Sequence, residues 1–92
     1  MHFAITCIDR PDSGALRAEN RPAHLDYLKA HLDRILVAGP MLSDDGQTPT
    51  GSLLIMDFAD LAAARAFAAA DPYNKAGLFE NVTIRPWRKV LP

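Results

Sequence analysis

Four segments of the chain carry the runs of apolar and β-branched residues that are typical of strands. These strands are predicted at residues 2–8, 36–42, 52–58 and 79–90. The second segment contains Gly39-Pro40. Because proline has no N–H to donate to a neighbouring strand, we expect this strand to be bent or to lie at an edge of the sheet. The polar segment that follows it contains Asp45-Gly46, which predicts a hairpin between the second and third strands.

Two further segments predict helices. The first extends from about residue 17 or 20 to residue 35, where apolar residues recur at helical spacing, namely Leu25, Leu28, Leu32, Ile35 and Leu36. It contains Pro22, which we place in the first turn because proline is tolerated there. The second helix is predicted at the alanine-rich residues 61–70. Asp60 is a suitable N-cap, and Pro72 disfavours helical geometry at Asp71, where the helix should end.

The elements follow the order β-α-β-β-α-β in a single domain spanning residues 1–92. This order predicts an α+β, ferredoxin-like fold, in which an antiparallel four-stranded sheet carries both helices on one face. The first and third strands are apolar at both alternating sets of positions, so both faces of the sheet should be buried. Two helices cover only one face. We therefore predict a homodimer or a larger assembly, with sheets packed face to face or joined across a shared edge.

Composition narrows the class of protein and its partners. With 49% hydrophobic and 23% charged residues, the 92-residue chain has the balance of an ordered globular domain. Its net charge is −1 and it has no basic stripe, so we expect no nucleic acid partner. The third strand also lacks the basic and paired aromatic residues with which RNA-recognition domains of the same element order stack bases.

The absence of certain sequence features leads to expectations about cofactors and cellular compartment. Cys7 is the only cysteine, which excludes an intrachain disulfide and a cysteine-only zinc site and fits a reducing cytoplasm. The first residues form no basic leader, signal peptide or membrane span, so we expect a complete cytosolic chain with no membrane partner. No metal-ligand spacing and no glycine-rich phosphate loop is present. We expect neither a metal nor an organic cofactor.

His24 and Asp71 are the clearest chemical candidates. Histidine titrates near neutrality, and a carboxylate bonded to one ring nitrogen would select its tautomer and raise its basicity. At roughly 100° per residue, His24 should lie on a flank about 70° from the apolar stripe of its helix. By spacing alone such a histidine is more often structural, and an aspartate before a proline commonly initiates a turn. The two residues are a candidate proton-transfer pair.

Several short motifs resemble, in this order, the YCII-related (YciI-like) family of small dimeric α+β proteins. They are Arg21-Pro22-Ala23-His24-Leu25, Ala38-Gly39-Pro40, Gly51-Ser52, Asp71-Pro72-Tyr73 and Ile84-Arg85-Pro86-Trp87. The resemblance spans nearly the whole chain. It implies an active-site histidine and aspartate, which fall on His24 and Asp71, with Ser52 near them. It also implies a dimeric α+β barrel, an architecture shared with muconolactone isomerase-like enzymes and cofactor-free monooxygenases, and by analogy proton-transfer chemistry.

Other residues are expected to bind substrate around this pair. Ser52 lacks a nucleophile elbow and should hydrogen-bond the substrate rather than attack it; the alternative is a serine at the start of a strand with no role in the site. Arg21, like Arg17, precedes His24 and would attract an anionic substrate, although charged residues at a helix start are more often simply solvated. Tyr73 would line the pocket, although an aromatic residue in a domain of this size more often belongs to the core or an interface. Cys7 lies in a buried strand and should be a core residue.

The leading hypothesis is a small cofactor-independent enzyme of the lyase or isomerase type. In it, His24 is the general acid or base for a small enolisable or phenolic substrate in a dimer cleft, and Asp71 orients the imidazole. The alternative is a non-catalytic module that binds a small ligand or a partner in the same cleft. Coupling of His24 to Asp71 separates the two, because a binding module would tolerate loss of the imidazole.

Overall fold

The computed structural model describes residues 1–92 as four strands and three helices. In chain order these are β1 (His2–Asp9), α1 (Gly14–Lys29), β2 (Ile35–Leu42), β3 (Pro49–Asp57), α2 (Leu61–Ala70), α3 (Pro72–Lys75) and β4 (Phe79–Trp87). The predicted β-α-β-β-α-β order is confirmed. The short helix α3 is an addition, since its residues were expected to form a turn.

The strands form one antiparallel sheet in the order β2-β3-β1-β4. At its centre, Ile5 of β1 lies opposite Leu54 of β3 and Ile84 of β4. Pro40 lies in β2, which is an edge strand as its proline predicts. This is the predicted ferredoxin-like fold. Two strand limits were wrong, since β3 begins three residues earlier than expected and β4 ends at Trp87.

The first helix differs from the prediction at both ends. It begins at Gly14 and ends at Lys29, and the next residues form a 3-10 turn at Leu32–Arg34 before β2 starts at Ile35. The apolar spacing misled the prediction because Leu32 and Ile35 continue the helical period although they belong to the turn and the strand. Pro22 therefore lies inside the helix and not in its first turn. Each helix is too short or too polar to span a lipid bilayer.

The core lies between the sheet and the helices. Alternate residues of the two central strands are buried there, and α2 packs onto them through Ala64, Phe67 and Ala68. Helix α1 turns Arg17, His24 and Leu28 inward. These residues are seven and four positions apart, so they share one helical face. The expectation that His24 lies on a flank of the apolar stripe was wrong. The buried face of α1 includes His24 itself, and Asp71, which bonds the imidazole, makes its burial possible.

The opposite face of the sheet is not covered by any helix. Here lie apolar side chains of three strands, among them Ile8, Val37 and Leu53, which are 43%, 52% and 38% exposed. A single chain thus buries one face of the sheet only, and the apolar residues predicted for the second face remain accessible.

Candidate functional site

His24 and Asp71 form a buried, doubly hydrogen-bonded pair. The Nδ1 atom of His24 lies 2.9 Å from Oδ1 and 3.1 Å from Oδ2 of Asp71. Asp71 stands where α2 ends and α3 begins, in the extended conformation that the following Pro72 favours. Its Oδ1 also accepts the Tyr73 backbone N–H at 2.9 Å, which caps α3. The structure therefore brings the two predicted residues together across 47 positions of sequence.

This pairing selects the tautomer of the neutral imidazole. A carboxylate only accepts hydrogen bonds, so Nδ1 carries the proton and Nε2 the lone pair. No protein group bonds Nε2, yet no fully buried polar side-chain atom lacks a partner. Nε2 therefore retains accessible surface, and His24 lines the cavity described below. The lone pair is available to a ligand.

Tyr73 connects the histidine to a second polar group. Its ring stacks on that of His24, with centroids 3.9 Å apart and planes 15° from parallel. The Arg17 guanidinium carbon lies 4.6 Å from the same ring centroid. Burial raises the pKa of the Tyr73 phenol, although the positive charges of Arg17 and Arg21 oppose the rise. The phenol is therefore neutral at neutral pH.

The second polar group consists of Asp9, Arg17 and Ser52. Arg17 donates from Nε to Asp9 Oδ2 at 2.7 Å and from Nη2 to Asp9 Oδ1 at 3.0 Å, and its Nη2 also donates to Ser52 Oγ at 2.9 Å. Burial disfavours the charged guanidinium, but the hydrogen bond and negative charge of Asp9, together with smaller contributions from Tyr73, outweigh this and raise the pKa of Arg17. The side chains are almost fully buried and joined by two parallel hydrogen bonds, so the ion pair is desolvated and has a defined geometry.

Sequence reasoning missed this group. Asp9 was not considered as a site residue, and Arg17 was considered only as a charge near His24 that attracts an anionic substrate. The available signal was spacing: seven residues separate Arg17 from His24, which places both on one helical face. Placing the start of α1 at Gly14 would have put Arg17 firmly inside the helix, on the same face as His24.

A cavity of about 560 Å³ lies between α1 and the β2–β3 hairpin. Apolar walls from Leu28, Pro40 and Leu54 surround its polar residues. The predicted residues that line it are His24, Ser52, Arg21 and Tyr73. Arg21 is solvent-exposed, whereas Asp71 is not in the lining and supports His24 from behind. The volume is within the range of small-molecule pockets.

Cys7 lies in the core, as predicted, and its chemistry is suppressed. Burial raises the pKa of its thiol to about 12, with further contributions from the negative charges of Asp71 and Asp9. A thiol in this environment is not a nucleophile at neutral pH.

The other two histidines lie elsewhere. His31 Nδ1 bonds the carbonyl of Tyr27 at 2.8 Å, and His2 packs edge-on against Trp87. No group of three or more His, Cys, Asp or Glu side chains has the arrangement needed to hold a metal ion.

Sequence comparison supports the resemblance noted from the motifs. The profile of the YCII-related domain matches residues 1–88. Protein YciI of Escherichia coli O6:H1 is 43% identical, and the alignment covers 99% of this chain and 100% of the relative. An uncharacterized protein of Haemophilus influenzae is 37% identical over the same shares of the two chains.

Two solved structures are also similar. One is 5-chloro-2-hydroxyhydroquinone dehydrochlorinase from Burkholderia phenoliruptrix AC1100, in complex with 2,5-dihydroxybenzoquinone. It is 38% identical with a TM-score of 0.89, covering 96% of this chain and 94% of that one. The other, an antibiotic biosynthesis monooxygenase, is 12% identical with a TM-score of 0.57, covering 99% and 100%. The second similarity concerns the fold alone.

Proposed function

This chain belongs to the YCII-related family, and we propose that it is a small enzyme of the lyase or isomerase type that transfers a proton on a phenolic or enolisable substrate. One observation carries the proposal. The two Asp71 oxygens hold His24 Nδ1, so the Nε2 lone pair is available in a cavity of suitable size.

In the proposed step, His24 Nε2 takes a proton from a hydroxyl or an acidic C–H of the substrate. The new imidazolium lies against the Asp71 carboxylate, so its charge is paired inside the protein. The same group then returns the proton at another position. A positioned acid or base of this kind typically contributes about 10²- to 10⁴-fold to a rate. In an isomerisation only a proton moves. On a chlorinated hydroxyhydroquinone the proton is added at the chlorine-bearing carbon, and chloride then leaves with the C–Cl electron pair as a second hydroxyl loses its proton, which gives a hydroxybenzoquinone and HCl. Neither reaction needs an external oxidant, reductant or nucleotide.

Similarity supports a phenolic substrate. The solved dehydrochlorinase that shares 38% of its residues with this chain is named for a chlorinated hydroxyhydroquinone and holds a dihydroxybenzoquinone. A single oxygenated ring of that size would fit a 560 Å³ cavity with apolar walls.

The experiment compares wild type with His24→Gln, using 5-chloro-2-hydroxyhydroquinone as the probe substrate. His31→Gln is the matched control, because His31 lies outside the cavity and glutamine can still donate to the Tyr27 carbonyl. We expect His24→Gln to lower kcat/KM by about a hundredfold or more, and the control to retain activity.

The alternative binding module predicts a different result. If wild type binds 2,5-dihydroxybenzoquinone but turns over no hydroxylated ring, and His24→Gln binds it equally well, proton transfer is refuted and the module is favoured.

We also propose that the uncovered sheet face packs against a second copy of this chain. Its apolar residues on three adjacent strands would then be buried, which agrees with the dimeric α+β barrel that the motif resemblance implies. Sedimentation of Leu53→Asp tests this proposal. Leu32→Asp is the control, because Leu32 is 65% exposed and lies outside the sheet. We expect the first variant alone to be monomeric, and a dimeric Leu53→Asp would contradict the face-to-face arrangement.

A further inference from the structure

The hydroxyl of Ser52 has one proton that the protein does not use. Its oxygen accepts from Arg17 Nη2 at 2.9 Å, and the structure gives it no hydrogen bond in which it donates. Ser52 is 3% exposed and lines the cavity. A hydroxyl carries one donor, so this donor is available to a bound molecule.

Arg17 alters the donor strength and the nucleophilicity of the Ser52 hydroxyl. A guanidinium bound to the serine oxygen draws electron density from it, which makes the hydroxyl a stronger donor and a weaker nucleophile. Asp9 holds the guanidinium through two hydrogen bonds, and both side chains are desolvated. The donor is thus set in place before substrate arrives, which is the arrangement that stabilises a developing oxyanion.

His24 and the Arg17–Ser52 pair lie at different positions along one cavity. Arg17 and His24 are seven residues apart, which is about 10.5 Å along a helix. Both nevertheless contact the ring of Tyr73, at 4.6 Å and 3.9 Å from its centroid. A substrate that reaches Ser52 and His24 together must therefore present two functional groups from different positions of one molecule.

We propose that Ser52 is the donor to the substrate oxygen that becomes negative when His24 removes a proton, with Arg17 and Asp9 as positioning residues. This inference rests on the proposed function and names its substrate class: a planar conjugated ring with an acidic proton at one position and a conjugated carbonyl oxygen at another. The acidic O–H or C–H bond breaks and an N–H bond forms on His24 Nε2. The released electron pair delocalises through the ring onto the oxygen at Ser52, so no external oxidant or reductant is needed.

Binding selectivity tests the proposal without turnover. The probes are 2,5-dihydroxybenzoquinone, a vinylogous acid that is anionic at neutral pH, and hydroquinone, which is neutral. Ser52→Ala should weaken binding of the anion by about tenfold to a hundredfold, the usual effect of losing a hydrogen bond to a charged group, and change hydroquinone binding less than threefold. Thr50→Val is the matched control, because it removes a hydroxyl of the same strand that does not line the cavity, and it should keep both affinities.

A second variant guards against a folding defect in the first. Ser52→Cys keeps the shape of the side chain but offers a weaker donor. It should therefore also weaken binding of 2,5-dihydroxybenzoquinone more than binding of hydroquinone. Asp9→Asn should also lower the affinity for 2,5-dihydroxybenzoquinone relative to that for hydroquinone, because Arg17 then loses the carboxylate that holds it against Ser52. Equal losses for both probes, or an unchanged ratio of the two affinities in the serine variants, would overturn the inference. Failure of the proposed function is separate, since it appears as absence of turnover by the wild type or as full turnover by His24→Gln, and not in the affinities of the Ser52 variants.

Discussion

Replacing Asp71 with asparagine would test the central pair with almost no change of shape. In wild type, Oδ1 accepts from both the Tyr73 backbone N–H and His24 Nδ1, each at 2.9 Å, and Oδ2 lies 3.1 Å from Nδ1. In Asp71→Asn we expect the amide oxygen at the Oδ1 position, where it preserves the cap of α3. The amide NH₂ then takes the Oδ2 position and faces Nδ1.

Two consequences follow for catalysis. Nδ1 now faces one acceptor, the amide oxygen at the Oδ1 position, and one donor, the amide NH₂ at the Oδ2 position, so the tautomer with its lone pair on Nε2 is less strongly selected. The imidazolium formed during the reaction also loses its counter-charge. If the pair supplies the usual contribution of a general base, kcat falls by about 10²- to 10⁴-fold. At about 1.36 kcal/mol per tenfold, this is a loss of roughly 2.7 to 5.4 kcal/mol of transition-state stabilisation.

Initial rates with 5-chloro-2-hydroxyhydroquinone measure the effect, and the ¹⁵N spectrum of the imidazoles reports the tautomer of His24 directly. Asp60→Asn is the matched control, because Asp60 also caps a helix, through the Ala63 N–H at 2.8 Å, but is exposed. If Asp71→Asn keeps its rate within threefold while His24→Gln is inactive, Asp71 is only a helix cap and the reasoning fails.

Three further predictions concern stability. Because burial raises the pKa of Cys7 from 9.0 to about 12, folding stability should fall as the pH rises through this window, by up to about 1.4 kcal/mol per pH unit. Urea unfolding of Cys7→Ala should lack this component, and parallel pH profiles would contradict it. In Gly51→Ala the new Cβ would strike the Cys7 carbonyl oxygen and lie 2.8 Å from Met41 Cε, so we expect a loss of about 1–3 kcal/mol, whereas Gly39→Ala meets nothing within 4 Å and should unfold much like wild type. Asp60→Ala removes the α2 cap and should cost about 1 kcal/mol in denaturant, and an unchanged midpoint would show that the cap adds nothing.

Local patterns were sufficient for the order of elements. Runs of apolar and β-branched residues predicted the strands, and α2 was correctly placed at 61–70 because Asp60 and Pro72 mark its two ends. These signals act within a few residues of the chain. The same locality explains the error in α1, where Leu32 and Ile35 continued the helical period into a turn and a strand.

The candidate site was only partly accessible from sequence. The motif resemblance implied His24 and Asp71, but their contact requires α1 and α3 to pack together across 47 residues of chain. The role of Arg17 was even less accessible from the sequence. A charged side chain predicts exposure, and Arg17 is buried only because Asp9 pairs with it and Ser52, 35 residues away, accepts its remaining hydrogen bond.

The sequence by itself determined the family, the element order and the residues with suitable chemistry. The tertiary structure alone decided which of these residues meet. Hydrogen bonds form only at separations near 3 Å, so sheet register and helix placement had to bring His24 to Asp71 and Arg17 to Ser52. Those positions are set by packing of the whole core, which no local pattern encodes.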